Sequence, residues 1–187
     1  MTKTSRRSVI KGAAALTMAG VAGMPALAAT APATPTPGKP GDFEFLTGEW
    51  KIANKWRNKT SDNWLEFPGE ATVRGILKGV VSVEELRIPA RDFSGMGLRT
   101  LDLEKKVWVD YWVNAKAGVL GRDGVIGSFE NGAGIFDSTD TENGKPVIYR
   151  GIWDKIVPGV SHNWSSLISR DNGKTWKSLW LMEWSRA

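Results

Sequence analysis

Asp110 lies between two indoles in the run Val107-Trp108-Val109-Asp110-Tyr111-Trp112-Val113-Asn114. A carboxyl group held among apolar rings has its pKa raised toward the range where it can give or take a proton at neutral pH. Arg99 and Arg150 are the candidates to neutralise it or to stabilise a developing charge, and His162 is the only histidine. Asp110, Arg99 and His162 would then be the catalytic set of a metal-independent isomerase, cyclase or lyase. The ten tryptophans support a different chemistry. Trp108, Trp112, Trp164 and Trp180, with Arg150 and Met182, would wall a pocket for a small apolar or aromatic molecule. Two further alternatives stay open: the rings simply fill a core, or the lone imidazole of His162, near Trp164, holds haem.

Other chemistries drop out on residue type or spacing. With no cysteine and one histidine, thiolate and histidine-rich metal sites are excluded, and no cofactor is expected. Gly159-Val160-Ser161-His162-Asn163 lacks the second glycine of a nucleophile elbow. Glu84 and Glu85 are neighbours on a strand, so they face opposite sides and cannot share a proton. Gly95-Met96-Gly97-Leu98 precedes a strand rather than a helix and offers no phosphate cradle. Ser169-Arg170-Asp171-Asn172-Gly173-Lys174-Thr175-Trp176 fits the Asp-box pattern, but a single copy reads as a turn device, not a sugar site.

The elements that must position these residues read as all-β. Short apolar–polar alternations run over Gly48–Arg57, Glu70–Leu77, Val80–Ile88, Gly95–Asp102, Val107–Asn114, Val125–Glu130, Ala133–Asp137, Val147–Ile156, Val160–Ser169 and Thr175–Ser185. Turn residues such as Asn131-Gly132, Asn143-Gly144 and Asn172-Gly173 separate several of them, and connections this short favour antiparallel neighbours. Ten up-and-down strands would leave two exposed edges unless the sheet closes, so an antiparallel barrel is expected over a two-sheet sandwich. A short helix around Asp42 to Leu46 would set Phe43, Phe45 and Leu46 into one mouth.

Gly48-Glu49-Trp50, opening the first strand, resembles the G-x-W signature of the lipocalin-like (calycin) barrels. With the flanking Phe43 to Thr47, the strand carrying Trp108 and Trp112, and the ending from Asp171 to Trp184, the globular part resembles a family of bacterial exported lipocalin-like proteins of unknown function. That resemblance implies a barrel with a central pocket and no particular activity. It also implies that a basic residue from the last strand, here Arg186, packs across Trp50. Trp176, Ser178, Trp180, Met182, Trp184 and Arg186 alternate onto one side of that strand, so the tryptophan-rich faces are expected inward. The interior would then gather Trp50, Trp56, Trp108, Asp110, Trp112, Trp164, Ser166, Trp180 and Met182, with Val107, Val109 and Tyr111 turned outward or under a covering loop.

The address is read from the first 41 residues. Arg6-Arg7, a weakly apolar stretch from Gly12 to Met24 and the small residues Ala26 and Ala28 resemble a twin-arginine export signal over residues 1 to 28. Residues 29 to 41 are a Pro/Ala/Thr-rich tether, and 42 to 187 the barrel domain. This implies a bacterial periplasmic or secreted protein that uses the twin-arginine machinery and has no membrane segment when mature. Lys3, Arg6, Arg7 and Lys11 carry most of the formal charge of +5; without them 21 basic residues face 20 acidic ones, which removes the footing for nucleic-acid binding.

Overall fold

The computed structural model describes residues 36–121 and 123–187. The expected export signal and most of the expected tether lie outside these. The chain is all-β: a single closed antiparallel barrel in which each strand bonds to its sequence neighbours and the first pairs with the last. Its strands are β1 (Gly48–Arg57), β2 (Trp64–Ile76), β3 (Val81–Ile88), β4 (Phe93–Asp102), β5 (Val107–Asn114), β6 (Val125–Glu130), β7 (Ala133–Glu142), β8 (Lys145–Val157), β9 (Ser161–Ser169) and β10 (Lys177–Arg186). Among the described residues no helix is long and apolar enough to cross a membrane.

Alternation sets the faces. In β1 the side chains of Trp50, Ile52 and Asn54 are buried and those between them are not; β3 buries Ser82, Glu84, Leu86 and Ile88 in the same rhythm. Asn131-Gly132 and Asn143-Gly144 adopt left-handed pairs that close two-residue hairpins, because such turns match the twist of the strands they join. The turn after β9 is held by side chains. The Ser169 hydroxyl accepts from the Gly173 amide at 2.8 Å, and Asp171 accepts from the Thr175 amide at 2.9 Å and its hydroxyl at 2.6 Å. Those Thr175 bonds, with one from Ser169, hold the Asp171 carboxyl down to about 2. This run is a turn device, as expected.

One end of the barrel is sealed. The chain enters through the 3-10 turn Glu44–Leu46, which buries Phe43 and Leu46. The Trp50 indole donates to the Leu46 carbonyl at 2.7 Å. Arg186 pairs in register with Trp50, lays its guanidinium 4.8 Å from the indole centroid and donates to the Thr47 carbonyl at 2.9 Å. Gly48 completes this floor: its φ is +135°, and a Cβ there would run into the Arg186 guanidinium. Residues ahead of Asp42 also bond to the barrel and its entry turns. The Gly38 amide donates to the Lys106 carbonyl at 2.7 Å, and that of Gly41 to the Gly79 carbonyl at 3.0 Å.

One face assignment reverses. Between Ser178 and Trp180 the β10–β9 register shifts by a bulge, so Trp180, Met182 and Trp184 point inward while Trp176 lies against Arg150, a residue of the outer wall.

If Gly48 is the residue that lets Arg186 cover Trp50, Gly48→Ala should cost about 2–3 kcal/mol through backbone strain and displacement of the guanidinium. Thermal denaturation should show a midpoint lower by roughly 5–10 °C. Combining it with Arg186→Ala should cost less than the sum of the two singles, since the displaced contact can be lost only once. Fully additive losses would mean the two do not act together.

Candidate functional site

Above the sealed floor the barrel interior stays open, with a cavity of about 430 Å³ bounded by β3, β4, β5, β8, β9, β10 and the loop before β6. Trp153, Trp164, Trp180 and Trp184, with Leu86 and Met182, form most of the apolar wall. The Trp164 and Trp180 rings meet edge to face at 87° with centroids 5.9 Å apart, and Trp153 tilts against Trp164 at 6.3 Å. Trp112 stacks on Phe93 at 6.0 Å and remains 40% exposed at the rim. Strand pairing explains where the cavity opens. β5 pairs β6 only over Trp108, Asp110 and the valine between them, after which the chain departs into the loop carrying Gly121 and Asp123, which frame the mouth with Tyr111 and Val125.

The polar wall is a charge cluster. Arg99, 3% exposed, donates to Glu84 at 2.8 Å and lies 3.5 Å from Asp110, its direct register partner on β5. Its guanidinium also lies 5.0 Å from the Trp153 centroid and 5.4 Å from that of Phe43. Gly97 leaves space for it, because a Cβ there would sit 2.9 Å from the Arg99 Nη2. Burial opposes the Arg99 charge, but Asp110 and Glu84 outweigh it and hold its pKa above the usual value. Burial pushes the Asp110 carboxyl up to about 6; Arg99 works against that rise and Glu84 adds to it. The Asp110 side chain keeps 24% exposure. That surface faces the cavity, where Asp110 is a lining residue. Among the described residues none hydrogen-bonds to its carboxylate.

The expected site residues divide in three. Asp110, Arg99, Trp112, Trp164, Trp180 and Met182 converge on the cavity. Trp108 is buried as expected but lies deeper, donating to Asp42 at 3.0 Å and packing edge-on against Phe43. Val109 and Tyr111 lie under the covering loop, where a side chain at Gly124 would collide with both.

Arg150 and His162 do not join the cavity. Arg150 takes the outward parity of β8, pairs with Asp137 at 2.6 Å and lies 4.1 Å over Trp176, so among the described residues Arg99 is the cation beside Asp110. His162 is neither at a mouth nor bonded to a loop. Its ring is 1% exposed in the floor, with Phe45, Trp50, Trp153 and Trp184 centroids at 4.5–5.7 Å, and neither nitrogen has a partner among the described residues. Burial, with the nearby Arg99 charge, lowers its pKa to about 3. An imidazole enclosed by four rings has no open side for an axial iron bond, so these residues do not fit haem.

Trp153 and Phe93 carry no signal in the sequence, and Glu84 reads there only as half of an excluded pair with Glu85. Alternation through Ser82, Leu86 and Ile88 marks Glu84 as inward; its partner sits on the next strand rather than at Glu85. Among the described residues no cluster of three or more metal-ligating side chains forms. No protein-family model and no curated protein matches the chain.

Asp110 and His162 give opposite pH slopes. Between about pH 4 and 6 the native state keeps an Asp110 proton that the unfolded chain releases, so stability falls as pH rises through that window. Between about pH 6.5 and 3 the unfolded chain takes up a proton that native His162 refuses, so stability falls as pH drops. Urea unfolding at pH 7.5 and pH 4 should therefore show His162→Leu gaining roughly 3 kcal/mol on the wild type over that interval. Parallel pH dependences would refute the assignment.

Proposed function

We propose that the mature protein is an exported, periplasmic binding barrel of the lipocalin-like kind that holds a small apolar or aromatic molecule in its tryptophan-walled cavity. The observation that carries this is the cavity itself: about 430 Å³ of space walled by indoles and meeting one cluster of charge, in the size range of small-molecule sites. The lipocalin-like assignment is supported by the Gly48-Glu49-Trp50 signature with Arg186 over the indole. The address rests on the sequence pattern of residues 1 to 28 alone, and with it the twin-arginine machinery as export partner. Neither nucleic acid nor, in the mature form, a membrane enters this reading. Flat apolar compounds should quench the intrinsic fluorescence saturably. Trp164→Leu should weaken their binding at least tenfold, while Trp176→Leu, on the outer wall, should leave it unchanged. A panel that produces no saturable quenching would overturn the reading.

A second reading is favoured by one observation, the Asp110 carboxyl pushed up to about 6 beside the Arg99 guanidinium. In this reading Asp110 moves a proton in a metal-independent isomerase, cyclase or lyase reaction and Arg99 stabilises the charge that develops. On a compound shown to bind, turnover that follows an ionisation near pH 6 and disappears in Asp110→Asn would support it. Binding without turnover would overturn it.

A further inference from the structure

We propose that the molecule this cavity takes is an organic cation, a flat or apolar body carrying a protonated or quaternary amine. The inference rests on the binding reading above and names the chemistry of its ligand. Its first support is charge. Among the described residues Glu84, Asp110 and Asp123 line the cavity with one cation, Arg99. Glu84 and Arg99 form a buried pair at 2.8 Å, so the Asp110 carboxylate faces the space with a single guanidinium contact at 3.5 Å and no hydrogen bond from any described residue. Asp123 stands at the mouth. At neutral pH the Asp110 carboxylate would repel an anionic ligand, whereas a cation would add to its single contact with Arg99.

The second support is the aromatic wall. Elsewhere in this chain guanidinium groups lie over rings: Arg57 on Trp64, Arg91 on Trp56, Arg150 on Trp176 and Arg186 on Trp50, at 4.1–4.8 Å. Inside the cavity Arg99 occupies Trp153, but among the described residues no cation lies over Trp112, Trp164 or Trp180. Two of these, Trp164 and Trp180, stand at right angles. Perpendicular indoles in a cavity that also presents a carboxylate suit an ammonium group, because the ring faces are negative and the apolar walls desolvate the charge. A neutral aromatic ligand would use the walls and leave Asp110 with its one contact to Arg99.

The test is calorimetric titration of the mature protein at pH 7.5 and physiological salt with three compounds that share one ring system: 1-naphthylmethylammonium, 1-naphthylmethanol and 1-naphthoate. The ammonium compound should bind at least tenfold more tightly than the alcohol, and the carboxylate most weakly. In Asp110→Asn the ammonium and alcohol affinities should converge to within about twofold; binding of the alcohol to that variant shows that its cavity is intact. Asp123→Asn should reduce the ammonium preference by a smaller factor. Equal affinities in the wild type, or tightest binding of the carboxylate, would overturn the cation assignment while leaving the binding cavity standing. Binding of none of the three would overturn both.

Discussion

Arg99 is a charge removed almost wholly from water, and the polar side of the interior is organised around meeting that cost. A buried guanidinium left alone would be prohibitive; with two carboxylates from adjacent strands it becomes tolerable, and removing one partner of such a pair typically costs 3–5 kcal/mol. Closure of the barrel makes the arrangement possible. Arg99 and Asp110 are direct register partners, and Glu84 lies one inward position along the next strand, so three side chains converge with no loop involved. The same arrangement leaves Asp110 incompletely matched. Glu84 takes the hydrogen bond, Asp110 takes the longer contact, and its carboxyl rises to about 6.

The remainder of the interior divides by what fills it. A ten-stranded barrel is wider than its aliphatic side chains can pack, and here aromatic rings close one end. Phe43 meets Trp108 edge to face, as Trp50 does both His162 and Trp184, and the enclosed imidazole stays neutral because nothing in that cluster would solvate its charge. At the other end β5 leaves β6 after Asp110, and the space that follows is the cavity. The floor is thus the stable base on which the charged and aromatic walls above it are held in place.

The barrel was legible because its signals are local. The bounds of β1, β5 and β6 follow from alternation and turn residues alone, and parity within β5 turned Trp108 and Asp110 inward. Legibility failed where a side chain's fate depends on a distant strand. The bulge at Ser178/Trp180 leaves no mark in the residue pattern, so Trp176 read as an interior ring although it covers Arg150 outside. Beside Glu85 in the sequence Glu84 shows no partner; Arg99, fifteen positions on, decides its role. His162 carried chemistry by residue type, yet the rings around it come from the entry turn and from β1, β8 and β10, and together they exclude both water and metal.

Asp110 is an under-compensated carboxylate in the cavity beside Arg99 and Glu84, and the chemistry of the site depends on it. The most direct measurement is a carbon-detected NMR titration of the aspartate carboxyl groups, with the Asp110 signal assigned by its loss in Asp110→Asn. The cluster should show an apparent ionisation near pH 6 that follows this signal. An Asp110 resonance that titrates near 4, like an exposed aspartate, would contradict the account, because it would mean that water or Arg99 already satisfies the group.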